Sequence, residues 1–418
     1  FVLYLQTRPA CRYSQAVPPR IFGGCVVIVE PFAGPGGWDE GLAWLGRRDI
    51  IGLEWDHAAC MTAVAAGHMR IRCDVAQYPT APFAGADGVI ASPPCQAWSM
   101  AGKRKGELDR SACHVLADRM ADGDDSLDWT GWEDPRSPLV CQPVRWVRDI
   151  RPAWVALEEV PAVASLWEHF ARIFRTWGYS VWTGDLCAAD YGVPQTRTRR
   201  ILLAHRDRIV QPPVPMHAEH PGPPDLFGDT RLPWVSMATA LGWDDGLTVN
   251  TRGERRTAGG NEFSADDPSW GLTSSSRSWV VRPEFIRLGT QDGATVRHID
   301  DPAPTLFFGH QSNDVRWHAE QPPTRAEREA AKQSWAFERP ATTVVGSFSP
   351  DVIAAPGYRL TESRQNAEGG VLQSFPADYP WQGSRTKQYE QVGNAIPPLL
   401  AAHCLAALGV AESLGAAA

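Results

Sequence analysis

Short apolar runs alternate with helical patterns along the first half of the chain. Between the runs, apolar residues such as Leu166, Phe170 and Phe174 recur at helical spacing and give one apolar face. Strands that alternate with helices predict an α/β fold with a mostly parallel sheet, whose ligands bind at the carboxyl ends of the strands. Four runs that end on a polar or small residue are predicted to be strands: 26–30, 50–54, 87–91 and 154–158.

The middle of the chain departs from this alternation. The segment 96–135 is rich in Gly, Asp, Lys and Arg and is predicted to be one long loop, which at this length is usually functional. A cluster of prolines between 212 and 224 indicates a linker, and short β-type runs follow over about 230–355. These runs form a weak internal repeat, and from about Tyr358 the sequence is helical again. Three dipeptides open the repeated units: Asp267-Pro268, Asp301-Pro302 and Arg339-Pro340.

The amino-acid composition indicates the general class of protein but does not identify a ligand. The chain is 43% hydrophobic and 21% charged, as in globular proteins. Its net charge of -8 gives no sign of a nucleic-acid binder, although a basic cleft could exist locally. Nine cysteines without a C-x-x-C pair indicate a reducing compartment and no metal site. No apolar run is long enough for a membrane span and no signal peptide is predicted, so we expect a cytoplasmic protein.

A glycine-rich turn follows the first predicted strand. In the segment 31–37, PFAGPGG, glycines at a strand-to-helix turn let the backbone approach a ligand closely, although an ordinary tight turn explains such a run about as well. Glu54 ends the next strand, where a carboxylate can accept from ribose hydroxyls, and Asp74 follows another short run. Each alone is typical of a solvated strand end. Their order favours an adenosyl ligand over a dinucleotide, because no G-x-G-x-x-G is present.

A second group of residues suggests covalent chemistry. Two prolines fix the backbone just before Cys95, so a thiol that is usually a buried apolar group becomes a candidate nucleophile. Glu158 ends another strand and would lie near Cys95 if both strands are central; a charge at a helix N-terminus is the alternative interpretation. Arg197 and Arg199 share one face of a strand, although a charged face on a strand is ordinarily only exposed to solvent.

Together these motifs resemble the cytosine-5 DNA methyltransferase family. The order is PFAGPGG, Glu54, Asp74, PPCQ, EEV and QTRTR, followed by LQSFP at 372–376 and QVGNAIPP at 391–398. The resemblance covers about 25–208 and 356–410, whereas 230–355 corresponds only by position to the family's target-recognition domain. One position departs from it: the family usually has Glu-Asn-Val, and this chain has Glu158-Glu159-Val160, so a carboxylate replaces an amide.

The resemblance implies transfer of a methyl group from S-adenosyl-L-methionine to C5 of cytosine in a specific double-stranded DNA sequence, with the base flipped out of the helix. It implies that Cys95 adds to C6, that Glu158 acts at N3, that Arg197 contacts O2 with Arg199 in support, and that Lys103, Arg104 and Lys105 belong to a lid over DNA. The implied cofactor contacts are Phe32, Gly34, Gly36, Gly37, Glu54, Trp55, Asp74, Pro93 and Asn394.

The same resemblance divides the chain and suggests its partners. We expect a Rossmann-like methyltransferase sheet with helices on both faces and a smaller β-rich target-recognition domain. The expected division is a tail at 1–22, a catalytic domain at 23–215, the recognition domain at 225–355 and a catalytic return segment at 356–418, with Asn394 beside the turn 31–37. A monomer in a bacterial or phage-infected cell, working with a cognate restriction endonuclease, is expected. An RNA cytosine-5 methyltransferase and a catalytically silent DNA-binding regulator remain as alternatives.

Overall fold

The computed structural model describes most of the first 241 residues and a segment near the C-terminus. It describes residues 28–99, 105–222, 230–241 and 369–410, together with short segments at 247–250, 262–264, 266, 268–270, 280–283, 287–289, 313–315, 353–354 and 358–359.

A seven-stranded sheet forms the centre of this part. Its strand order is β3-β2-β1-β4-β5-β8-β6, in which β1 to β5 run parallel to one another and β8 runs antiparallel to both β5 and β6. The bounds of the first eight strands are β1 Ile28–Pro31, β2 Ile50–Glu54, β3 Met69–Arg72, β4 Gly88–Ala91, β5 Trp154–Glu159, β6 Ser180–Cys187, β7 Gln195–Thr196 and β8 Thr198–His205.

Helices cover both faces of the sheet, which confirms the predicted fold class. On one face, Val29, Val89 and Leu157 pack in a core with large side chains such as Trp146 and Phe170. On the other face, strand residues such as Ile28, Ile90 and Ala156 pack with Trp38 and Leu400. The helices are α1 Gly37–Trp44, α2 His57–Ala65, α3 Gly106–Ala121, α4 Gln142–Ile150, α5 Ala164–Thr176, α6 Met237–Leu241, α7 Arg385–Asn394 and α8 Pro398–Ala407.

The prediction of one long loop over 96–135 was wrong, because α3 occupies its centre. Charged residues dominate the segment, yet Cys113, Leu116, Ala117 and Met120 recur at helical spacing and are buried in the first core. The high share of charged residues reflects only the outer side of the helix. Of the residues expected in a lid, Lys105 directly precedes α3, and 103 and 104 lie outside the described residues.

The last helix of the described chain returns to the first. Gly41 of α1 has no room for a side chain, because a Cβ there would lie 2.9 Å from both the Ala401 Cβ and the Ala402 backbone nitrogen of α8. The absence of a side chain lets the two helices approach closely over the second core, where Leu42 and Leu405 are fully buried. Pro398 begins α8, and proline is suited to the first turn of a helix.

The chain divides into two compact units. One comprises 1–241, 267–276 and 362–418, and the other comprises 242–266 and 277–361. This division differs from the predicted boundary at 225, since β9 (His217–Ala218) pairs with β10 (Leu232–Pro233) and α6 follows within the first unit. β13 (Ser269–Trp270), after the first repeated dipeptide, pairs with β7; the other two dipeptides lie outside the described residues.

In the second unit the described residues are strands. β11 lies between β12 and β14 in an antiparallel sheet, and two antiparallel pairs, β15 with β16 and β17 with β18, accompany it. Their bounds are β11 Leu247–Asn250, β12 Glu262–Ser264, β14 Val280–Pro283, β15 Arg287–Gly289, β16 Asn313–Val315, β17 Ile353–Ala354 and β18 Tyr358–Arg359.

Candidate active site

The glycine-rich turn after β1 has backbone angles that most residues avoid. Phe32 has φ +63° and Gly34 φ +55°, both in the left-handed region. No atom lies within 4 Å of a Cβ placed on Gly34, so that side of the turn is open. By contrast, a Cβ on Gly36 would lie 2.6 Å from the Tyr379 hydroxyl, and one on Gly37 would meet the Ile396 carbonyl. Gly34 therefore leaves room for a ligand, whereas Gly36 and Gly37 admit the C-terminal segment.

Glu54 is fixed to this turn by two backbone hydrogen bonds. The Gly34 N–H donates to its Oε2 at 2.8 Å, and the Asp56 N–H donates to its Oε1 at 2.7 Å. Burial raises the pKa of Glu54, and the two backbone donors act in the opposite direction. Next to it, Trp55 is 68% exposed, so its ring is available for contact with a planar group. Asp74 accepts hydrogen bonds from the Ala76 N–H and the Gln77 side chain.

A buried charge network lies behind the turn. The Arg70 guanidinium donates to both carboxylate oxygens of Asp39 at 2.9 and 2.6 Å, and both side chains are almost fully buried. Glu30 at the end of β1 is fully buried, and no N–H or hydroxyl group of the described residues donates to its oxygens. Burial and the neighbouring Asp39 raise the pKa of Glu30 well above its ordinary value. Glu30 is therefore a buried carboxyl group beside Asp39 whose neutral form is favoured.

Cys95 lies on the turn that follows β4, at the same edge of the sheet. The Trp38 indole N–H donates to the Ser92 hydroxyl at 3.0 Å, which ties this turn to α1. Burial and, after it, the nearby carboxylates of Glu159 and Glu158 raise the pKa of the Cys95 thiol to about 12, and Arg199 acts in the opposite direction. The thiol is therefore protonated in this form of the protein at neutral pH.

Glu158, at the carboxyl end of β5, lies at the same edge of the sheet as Cys95. Its Oε1 lies 2.8 Å from the Arg199 Nε, and both side chains are largely buried. The Arg197 guanidinium donates to the carbonyls of Gly393 at 2.8 Å and Ala395 at 2.9 Å. The two arginines therefore have different partners in the structure, since Arg199 pairs with Glu158 and Arg197 binds backbone carbonyls of the C-terminal segment; their roles toward the base stay predictions.

One cavity of about 530 Å³ joins the two groups of residues. Arg197 and Gly36 are not among the residues that line it, and their contacts with base and cofactor stay predictions. The other predicted site residues line it together: Phe32, Gly34, Gly37, Glu54, Trp55, Asp74, Pro93, Cys95, Glu158, Arg199 and Asn394.

Sequence reasoning missed several residues of the cavity wall. Glu30 gave a signal that was available, since an acidic residue ends β1 just as Glu54 ends β2. Trp129 and Arg136 come from the segment after α3, which carried no motif. Lys387 lines the cavity and lies 3.0 Å from the Asp56 carboxylate. Its position depends on a contact across 331 residues, which no local pattern reveals.

The described residues contain no group of three or more His, Cys, Asp or Glu side chains placed to hold a metal ion. Among them there is also no helix that combines the length and apolar character needed to cross a membrane.

The chain is similar in sequence to known proteins. The family model described as C-5 cytosine-specific DNA methylase matches residues 26–118 and 128–230. The type II methyltransferase M.DdeI of Desulfomicrobium norvegicum is 25% identical over 90% of this chain and 86% of its own length. M1.HphI of Haemophilus parahaemolyticus is 24% identical over 90% and 84%, and M.SacI of Streptomyces achromogenes is 24% identical over 88% and 89%.

The family model covers the segment that contains strands β1 to β9, and the three relatives align with 88–90% of the chain. The chain belongs to the C-5 cytosine-specific DNA methylase family.

Proposed function

We propose that this protein transfers a methyl group from S-adenosyl-L-methionine to C5 of cytosine within a specific sequence of double-stranded DNA. One observation carries the proposal: a single cavity is lined by the thiol of Cys95, the Glu158–Arg199 pair and the turn around Gly34 with Glu54. Methyl transfer needs a nucleophile, an acid and a methyl donor within reach of one another. The family supports the transfer of a methyl group to cytosine in DNA.

The residues near the turn fit S-adenosyl-L-methionine, which supplies an electrophilic methyl group when bound. Glu54 is fixed by backbone donors and keeps lone pairs for ribose hydroxyls. Glu30 lines the cavity with a carboxyl group that receives no hydrogen bond from described N–H or hydroxyl groups, which suits the ammonium group of the methionine part. Trp55 offers an exposed ring for the adenine, and Asp74 and Asn394 complete the polar wall.

The remaining residues support covalent activation of cytosine. The Cys95 thiolate adds to C6 of the base, which makes C5 electron-rich enough to attack the methyl carbon. Glu158 places a proton at N3 and stabilises the negative charge that develops in the ring. Arg199, held by Glu158 at 2.8 Å, is positioned to donate to O2. C5 takes the methyl group from the sulfonium, which leaves as a neutral thioether. Loss of the C5 proton to solvent then expels the thiolate, returns the N3 proton to Glu158 and restores the aromatic base.

The target atom is hidden inside a duplex, so the cytosine must leave the helix to reach this cavity. The second unit, whose described residues are strands, is proposed to select the DNA sequence. The relatives are named type II methyltransferases, and we extend that role to this chain as part of a restriction–modification system with a cognate endonuclease. Bisulfite sequencing of DNA from cells that express the protein would identify the methylated site.

The nucleophile can be tested with Cys95→Ser. We expect transfer of tritiated methyl groups to DNA to be abolished, with calorimetric cofactor binding nearly unchanged, because Cys95 lies beside the Glu54 turn and not within it. Cys187→Ser is a matched control, since Cys187 is a free, partly buried thiol at the end of β6. The parent should also form a covalent adduct on DNA containing 5-fluorocytosine. Substantial methyl transfer by the Cys95→Ser variant would show that Cys95 is not the nucleophile.

A further inference from the structure

Glu159 is a second carboxylate at the catalytic edge of the sheet, and the proposed reaction does not use it. It is the last residue of β5 and is 1% exposed. Side chains alternate along a strand, so Glu159 shares the face of Val155 and Leu157, and Glu158 shares the opposite face. Cys95 packs against the core on the Glu159 face. Glu159 and Cys95 are thus neighbours on one side of the sheet.

Strand register explains why they meet. Ala91, the last residue of β4, pairs with Leu157 of β5. The residues that follow, 92–95, therefore leave the sheet at the level where Glu158 and Glu159 end β5. Among charged groups near Cys95, the Glu159 carboxylate has the largest effect and raises the pKa of the thiol.

The hydrogen bonds of Glu159 account for only one of its two oxygens. The Val160 N–H donates to Oε2 at 2.5 Å, whereas Oε1 is buried and has no hydrogen-bond partner among the described residues. An ionised carboxylate in this position would carry a largely uncompensated buried charge. Burial raises the pKa of Glu159 well above its ordinary value of 4.5, and the charge of Glu158 raises it further.

The basic side chains near Glu159 bind groups other than Glu159. Arg199 pairs with Glu158 at 2.8 Å. Arg200 faces Glu159 in strand register, but its guanidinium turns to Glu168 at 3.0 Å and Asp185 at 3.4 Å.

Arg110 of α3 binds Glu107 and, at 2.7 Å, the Ala162 carbonyl of the turn that follows Glu159. Among the described residues, therefore, no basic side chain forms an ion pair with Glu159.

From this geometry we propose that Glu159 is a positioning residue that works in its protonated form, and that its ionisation at alkaline pH suppresses the thiolate of Cys95. The inference rests on the proposed role of Cys95 as the nucleophile. A protonated carboxyl group presents one donor and one acceptor, as a side-chain amide does. Neutral Glu159 can therefore take the place of the asparagine that the resemblance leads one to expect here, without adding a charge beside the thiol.

The test follows the reactivity of Cys95 itself in the full-length protein. Parent and Glu159→Gln proteins are treated with iodoacetamide over a range of neutral to alkaline pH, and alkylation of Cys95 is measured by peptide mass spectrometry. We expect equal rates near neutral pH and faster alkylation of the Gln variant at alkaline pH. Each unit by which ionised Glu159 raises the thiol pKa lowers the thiolate fraction about tenfold at a pH below that pKa.

Each other outcome would overturn the proposal. A Gln variant that already reacts faster at neutral pH would mean that Glu159 is ionised there. A slower variant would mean that Glu159 serves as the base for the thiol, and identical profiles would mean that the two groups are not coupled. Glu133→Gln is the control, because that carboxylate is 55% exposed and lies beside Lys105. The assay contains neither DNA nor methyl donor, so its failure is distinguishable from a failure of the proposed function.

A stability measurement provides a second test, and because it uses two variants it does not depend on the folding of either one alone. The folded protein keeps the Glu159 proton above pH 4.5, where the unfolded chain has lost it, so this group lowers stability as pH rises from 4.5 toward its folded pKa. Both Glu159→Gln and Glu159→Asn should therefore melt at a higher temperature than the parent near pH 8, with the difference narrowing toward pH 4.5. The infrared difference spectrum between the parent and each variant at neutral pH should show one carbonyl band of a protonated acid, which belongs to Glu159. A constant melting difference, or a difference spectrum without this band, would contradict the proposal.

Discussion

Two arginines that are two residues apart have different tasks in this protein. The alternation of side chains along a strand predicted that Arg197 and Arg199 share a face, and nothing local distinguishes them. The structure separates them because the partners of Arg197, the Gly393 and Ala395 carbonyls, come from a segment almost 200 residues later. Partners that far apart in sequence are outside the reach of any local pattern.

Substitution should separate the two tasks. Arg199→Lys keeps a positive charge but loses the planar donors that face Glu158, so methyl transfer should fall by about 10²–10³ with little change in melting temperature. Arg197→Leu leaves two buried carbonyls without a donor, at about 1–3 kcal/mol each, so it should lower the free energy of unfolding. Urea unfolding and a tritiated-methyl assay measure the two effects. Equal losses of stability in both variants would show that the division is mistaken.

At the scale of elements, the sequence predicts the positions of strands well where both faces of the strand are buried. The runs at 50–54 and 154–158 stand out because both faces of those strands are buried, and the observed strands Ile50–Glu54 and Trp154–Glu159 match them within a residue. β6 gave no such signal, since most of its residues are only partly buried. The sequence did not predict helix α3, because charged residues on its outer side mask the apolar pattern of its inner side.

The contact between α1 and α8 offers a test at this scale. Gly41→Leu would place a large side chain against Ala401 and Ala402, where even a Cβ lies at 2.9 Å. Overpacking of this kind costs about 1–3 kcal/mol, and the displaced helix should also weaken cofactor binding, since α8 follows directly after the Asn394 segment. Thermal melting and calorimetric titration would measure both. Trp44→Leu on the exposed side of α1 is the control, and equal effects of the two substitutions would contradict the role of this contact.

At the scale of the molecule, the catalytic unit is assembled from distant parts of the chain. The order of motifs predicted the members of the site, because the motifs from the glycine-rich turn to Glu158 lie at or after the carboxyl ends of parallel strands, and those ends meet at one edge. It could not predict how the C-terminal segment supports the glycine-rich turn. The Tyr379 hydroxyl donates to the Pro35 carbonyl at 2.5 Å across 344 residues, and Gly36 leaves room for that hydroxyl.

This long-range support makes cofactor binding depend on the end of the chain. Tyr379→Phe removes one hydrogen bond to the turn, so cofactor affinity should fall by about 1 kcal/mol, or roughly fivefold, while the fold persists. Deletion from Tyr358 onward removes α7, α8 and the Asn394 wall and should abolish cofactor binding. Calorimetric titration would measure both, with circular dichroism to verify folding. Tyr191→Phe is a matched control, since its hydroxyl donates to the Pro213 carbonyl at 3.1 Å and Tyr191 does not line the cavity. A truncated protein that stayed folded and bound the cofactor with unchanged affinity would show that the glycine-rich turn needs no partner from the C-terminal segment.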